Sequence, residues 1–138
     1  MFQDCTILTQ APELPATTLA EGCYSSMFSG CTSLTWAPVL PATTLAKECY
    51  YDMFSGCTSL TWVPVLPATT LVDDCYSYMF FYCPNIKSIK CLAANPSDTA
   101  LESWVEYVST TGTFTKLAGV DWPIGDSGIP SGWTVVEI

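Results

Sequence analysis

The chain has 138 residues and a mass of 15.0 kDa, enough for one ordinary core. Its 13 Asp and Glu stand against 4 Lys, with no Arg and no His, for a formal net charge of −9. That balance repels phosphate backbones and argues against a nucleic-acid partner. The missing His and Arg remove the commonest general base, metal ligand and anion clamp, so no enzyme, metal site or cofactor is expected.

Hydrophobic residues make up 49% of the chain and charged ones 12%, which excludes a disordered segment. No apolar run approaches the ~20 residues of a membrane span. The opening MFQDCTILTQ has neither the positive start nor the continuous apolar stretch of a signal peptide. Met1 instead falls in the same repeat column as Met27, so the chain reads as beginning inside a longer array.

The organising feature is a repeat. Met1, Met27, Met53 and Met79 are spaced by 26 residues, and Phe2, Phe28, Phe54 and Phe80 keep that step, as do Cys5, Cys31, Cys57 and Cys83. The units from Met27 and Met53 share 20 of 26 positions, and the unit from Met1 shares 17 of 26 with its neighbour. A period of roughly 20 to 50 residues predicts stacked units that bury a common face.

In chain order, SLTWAPVLP predicts an extended segment. It mixes Leu, Thr, Trp and Val, and its prolines oppose a helix. Prolines at 12, 38 and 64 remove a ladder donor and shorten or bulge that strand. After Pro41, apolar residues at Leu45, Cys49, Met53 and Phe54 predict one or two helical turns, closed by Gly30 and Gly56 in their respective copies. The repeat fades at IKSIKCLAANPSD, where Ile86, Ile89 and Leu92 stand in the Leu34, Ala37 and Leu40 columns and Cys91 in that of Val39 and Val65. Ser97 or Asp98 then reads as the N-cap of a helix over TALESWVEYVS, with Leu101, Trp104, Val105 and Val108 on one face. TGTFTKL and GIPSGWTVVEI predict two strands around the connection AGVDWPIGDSG.

The phrase MFSGC-x-x-L, running on into LP, resembles the BspA-like leucine-rich-repeat surface proteins of host-associated bacteria, whose unit usually reads AF-x-x-C-x-x-L-x-x-I-x-L-P. Phe28, Cys31, Leu34, Ala37, Leu40 and Pro41 match it, as do Phe54, Cys57, Leu60, Val63, Leu66 and Pro67. The step from Leu34 to Leu40 is one residue longer than in that pattern, leaving Val39 and Leu40 both as candidates for the inward position. TGTF and GIPSGWTV also resemble the C-terminal ends of the same group. The resemblance implies an α/β solenoid: a right-handed leucine-rich-repeat array of short parallel strands and short helical turns. It would occupy residues 1–94, with units 1–26, 27–52, 53–78 and a partial 79–94, followed by a helix/strand cap over residues 95–138. It also implies a setting on the bacterial cell surface or outside the cell.

Eight cysteines form two ladders, Cys5, Cys31, Cys57 and Cys83, then Cys23, Cys49 and Cys75, with Cys91 apart. Without His or C-x-x-C, zinc is disfavoured. Two readings stay open. The cysteines are reduced and fill the core, or Cys23–Cys31, Cys49–Cys57 and Cys75–Cys83 are bridged within units.

Columns that vary between near-identical copies are candidates for function. They are Gln10, Trp36 and Trp62; Glu13, Val39 and Val65; and, at the corner, Glu21, Lys47 and Asp73, Gly22, Glu48 and Asp74, Ser25, Tyr51 and Ser77, and Ser26, Asp52 and Tyr78. Trp36 and Trp62 on neighbouring strands would form an exposed platform beside Gln10, and Tyr51 and Tyr78 a second aromatic group. The corner acids lack a calcium-loop pattern and read as solvated, and Ser127 and Ser131 have no His partner. The expected role is non-catalytic recognition or adhesion toward a protein or glycan of a host or bacterial surface. The alternative is a structural protein that self-associates, as a dimer or fibre, through an uncapped first repeat.

Overall fold

A computed structural model describes all residues from Met1 to Ile138. It overturns the expected α/β solenoid, and the leucine-rich-repeat description with it. Most of the chain is turn and irregular coil. Regular structure is limited to β1 (Ser88–Lys90), α1 (Asp98–Leu101), β2 (Thr113–Lys116) and β3 (Thr134–Glu137), the three strands forming one parallel sheet in the order β1-β2-β3. Of 65 backbone hydrogen bonds, only 5 lie inside these elements.

What replaces the predicted helical turns is a ribbon of consecutive tight turns. The amides of Cys23, Ser25, Met27, Ser29 and Cys31 donate to carbonyls three residues back at 3.0–3.2 Å. The amides between them, from Gly22, Tyr24, Ser26, Phe28 and Gly30, donate instead to the next copy, to the carbonyls of Lys47, Cys49, Tyr51, Met53 and Ser55, at 2.8–3.0 Å. Glu48 to Gly56 repeat the pattern onto Asp73 to Phe81. An α-helix would consume those carbonyls internally, so stacking and helix exclude each other. The ribbon also needs a left-handed residue every fourth position. Gly30 and Gly56 take it at φ +75° and +73°, and Glu48, Asp52 and Tyr78 take it at φ +55° to +57°. Its four-residue period is what made Leu45, Cys49 and Met53 look helical.

The extended segments are not strands either. They touch only at single bridges, Gln10 to Trp36 to Trp62, Thr18 to Thr44 and Leu66 to Cys91. Prolines at 12, 15, 38, 41, 64 and 67 explain this, because each lacks the amide a ladder requires. Where the fourth copy puts Lys90 in the proline column, β1 forms at once. The proline also breaks alternation: Ala37 and Pro38 are both buried, after which Leu40 points inward and Val39 is 64% exposed. In the fourth copy, whose extended segment has no proline, alternation is regular, so Cys91, bridged to Leu66, is buried and Leu92 is only half-buried. Cys91 thus occupies the Leu40 position, not that of Val39.

The predicted helix over TALESWVEYVS reduces to α1, too short to persist alone. Beyond it, Ser103 and Tyr107 are left-handed, at φ 47° and 62°, and the segment becomes a further turn ribbon accepting from Tyr78, Phe80 and Tyr82. Leu101, Trp104 and Val105 are buried all the same.

One continuous core runs along the stack. Phe2, Phe28, Phe54 and Phe80 stack at 5.6, 5.6 and 5.9 Å between centroids, and Tyr24, Tyr50 and Tyr76 at 6.0 Å. Trp104 closes both ladders, 6.0 Å from Tyr76 and 6.1 Å from Phe80, and is covered in turn by Phe114 and Trp122. Its indole donates to the Gly128 carbonyl at 2.8 Å, tying down the connection before β3.

Candidate functional site

Two surfaces collect the variable residues. On the extended segments, the parallel bridges of Gln10, Trp36 and Trp62 set three outward side chains in a row. Trp36 and Trp62 stack at 5.1 Å and 20°, and remain 58% and 37% exposed. The larger value belongs to the ring whose outer neighbour is a glutamine rather than a second indole. Thr35 and Thr61 hold the segments behind them, each hydroxyl donating to the preceding copy's carbonyl, at 3.5 Å to Thr9 and 3.2 Å to Thr35. Two residues further along, Pro12, Leu14, Pro15, Pro38, Val39 and Pro41 line an apolar depression of about 290 Å³, with Glu13 as its only charge. This depression was not foreseen from the sequence, although Glu13 and Val39 stand in one of the variable columns.

Tyr51 and Tyr78 lie elsewhere, on the turn ribbon, with centroids 5.7 Å apart and rings edge to face. Tyr78 donates to the Glu102 carboxylate at 3.2 Å. That carboxylate is the main cause raising the Tyr78 phenol, whereas Tyr51 is raised first by partial burial, then by Tyr78 and the nearby acids Asp52, Asp74 and Glu102. The sequence-derived group of five therefore divides into Gln10, Trp36 and Trp62 on one element and Tyr51 and Tyr78 on another.

Phe81, Tyr82 and Tyr107 extend the second group and were missed. Tyr82 and Tyr107 share the left-handed column of Gly30 and Gly56, and that shared column is the signal that could have found them. Seeing it requires aligning SWVEYV with the repeats, which a deletion near α1 disguises.

No family model, curated protein or solved structure matches the chain. The resemblance to BspA-like surface proteins rests on the quoted motif alone.

Asp73, Asp74, Asp98 and Glu102 share an open depression of about 550 Å³ with Lys47 and Ser127, while Glu21 and Glu48 stand outside it. Ser77 donates to Asp74 at 2.9 Å, and Ser127 accepts from the Ser103 amide at 3.1 Å. Serine 127 is thus engaged in holding the last ribbon.

All eight cysteines are free thiols, and none of the pairs Cys23–Cys31, Cys49–Cys57 and Cys75–Cys83 is bridged. The thiols of Cys31, Cys57 and Cys83 donate to the carbonyls of Phe2, Phe28 and Phe54 at 3.0–3.1 Å, so one ladder links each copy to the one before. Burial pushes Cys57, Cys75 and Cys91 up to about 12 and Cys49 to about 11, which makes these thiols poor nucleophiles.

Proposed function

We propose that the chain is a non-catalytic recognition module and that Trp36 and Trp62, flanked by Gln10, are its contact platform for a protein or glycan. The observation that carries this reading is a pair of stacked, exposed indoles held rigidly by neighbouring bridges. Large rigid rings lose little conformational entropy on binding, and apolar faces with a polar edge suit sugar rings and protein hot spots alike. The apolar depression beside them extends the surface. A bacterial cell-surface or extracellular setting belongs to the proposal through the sequence resemblance.

The test is binding of the folded chain to arrays of immobilised oligosaccharides and of host and bacterial surface proteins, compared with a Trp36→Ala, Trp62→Ala double variant. Both side chains lie at the surface, so the thermal midpoint should fall by only a few degrees. Any signal on the arrays should drop at least tenfold. Retained binding by the double variant removes the platform from the site.

A second reading is favoured by the first copy's open edge. Phe2, Leu8, Leu19 and Tyr24 are half-buried and Ile7 is 90% exposed, although the equivalent Leu34, Leu45 and Tyr50 are buried. End-on association would cover this face. Ribbon amides donate toward the following copy, so the open edge carries carbonyls, while at the other end the amides of Ser103 and Val105 are already taken by Ser127 and Asp126. The association is then a dimer or a fibre. Sedimentation that shows a strict monomer at high concentration excludes this reading.

A further inference from the structure

The turn ribbon carries a run of aromatic rings distinct from the tryptophan pair, half-buried at Tyr51, Tyr78 and Phe81 and exposed at Tyr82 and Tyr107. Tyr51, Tyr78, Phe81, Tyr107 and Tyr82 follow one another with centroids 5.7, 5.8, 5.7 and 5.8 Å apart, every contact edge to face. Tyr82 and Tyr107 are 53% and 59% exposed. An edge-to-face chain leaves ring faces open, and those faces carry the negative end of the ring quadrupole.

Carboxylates border this seam. Glu102 accepts from the Tyr78 hydroxyl, Glu106 directly precedes Tyr107, and Glu102 also opens onto the acid-lined depression with Asp73, Asp74 and Asp98. Neither Glu102 nor Glu106 forms a salt bridge, since the one in the structure joins Lys116 and Glu137, and the acid-lined depression holds a single cation, Lys47. Aromatic faces and unneutralised carboxylates together select one chemistry.

We propose that the seam is a docking surface for an arginine-bearing segment of a partner protein, with guanidinium groups stacked on Tyr82 and Tyr107 and paired with Glu102 and Glu106. Arginine fits better than lysine, because its planar cation stacks on a ring while its fork of N–H donors meets a carboxylate. The charge complementarity extends to the whole molecule, whose net charge is −9. This surface is independent of the tryptophan reading and stands or falls separately.

The test uses a fluorescein-labelled Gly-Arg repeat peptide and its Gly-citrulline counterpart, titrated with the full chain at low and at physiological salt. The arginine peptide should bind and the citrulline peptide should not. Asparagine tolerates the left-handed backbone, so a Tyr82→Asn, Tyr107→Asn variant removes both rings without adding strain. It should weaken binding about tenfold, roughly threefold for each ring. Glu102→Gln with Glu106→Gln provides an isosteric second variant, and it should also weaken binding. The Trp36→Ala, Trp62→Ala variant should bind the peptide as wild type does. Absence of arginine-peptide binding overturns the proposal. So does binding unchanged by the loss of both rings, which would mark diffuse charge attraction, and so does preferential capture of phosphatidylcholine vesicles, which would mark a lipid-headgroup surface.

Discussion

Truncating one ring of the phenylalanine ladder tests whether stacking between copies holds the molecule together. Phe54 is fully buried and sandwiched between Phe28 at 5.6 Å and Phe80 at 5.9 Å. Replacing it by Ala removes the transfer energy of a whole ring and leaves a cavity between two rigid neighbours, a loss of about 3–5 kcal/mol. Phe2 occupies the same column but is half-buried and has one stacking partner, at 5.6 Å. Its truncation should cost about 1–2 kcal/mol, near the lower end for burying such a side chain. Urea unfolding followed by far-UV circular dichroism measures both. A domain of this size has only about 5–15 kcal/mol in total, so Phe54→Leu supplies a milder variant if Phe54→Ala does not fold, with a cost of about 1–2 kcal/mol. If the Phe2 and Phe54 truncations cost the same, the ladder is not a cooperative core and the reasoning fails.

The buried thiols make stability sensitive to alkali. Cys49, Cys57, Cys75 and Cys91 are held at about 11 to 12 by burial against an ordinary 9.0, so their contribution is complete below about pH 9 and declines as pH rises through 11 to 12. Thermal midpoints should be flat from neutral pH to about 9 and fall steeply above it; a midpoint constant to pH 11 contradicts the burial argument. In the cap, Trp122 has a buried indole N–H with no acceptor, whereas that of Trp104 is satisfied by Gly128 at 2.8 Å. Trp122→Phe should therefore change stability by less than about 1 kcal/mol and Trp104→Phe should cost about 2–4 kcal/mol, and equal costs in denaturant titrations would refute the distinction. Alkylation without reductant should add eight labels to the denatured chain but reach only Cys23, and more slowly Cys5, in the folded one; intact mass showing fewer than eight on the denatured chain would reveal bridges.

Much of the core was legible because the repeat is so nearly exact. The Phe28 and Cys31 columns, identical in all four copies, are buried from the second copy on, as is the apolar Leu34 column, and Trp36 and Trp62, which replace Gln10, are exposed. Misreadings arose where two conformations share one periodicity. Apolar residues spaced by four suit a helix and a ribbon of four-residue turns equally, and nothing local in LAKECYYDMF separates them. Likewise, the alternation in SLTWAPVLP predicts a strand, but its prolines leave single bridges, and the residue facing inward after Pro38 depends on how the chain recovers from that break.

The sequence by itself determined the 26-residue register, the identity of the stacked side chains and the acidic, His-free and Arg-free surface, because these are properties of letters and spacings. Only the tertiary structure decided between helix and turn ribbon. That choice depends on where alternate amides find acceptors, and the acceptors belong to a copy about 25 residues away. Tertiary structure also decided which variable residues share a surface, separating Trp36 and Trp62 from Tyr51 and Tyr78 and joining the latter to Phe81, Tyr82 and Tyr107. Proximity across copies is set by hydrogen bonding between them, and that bonding has no signature within one copy.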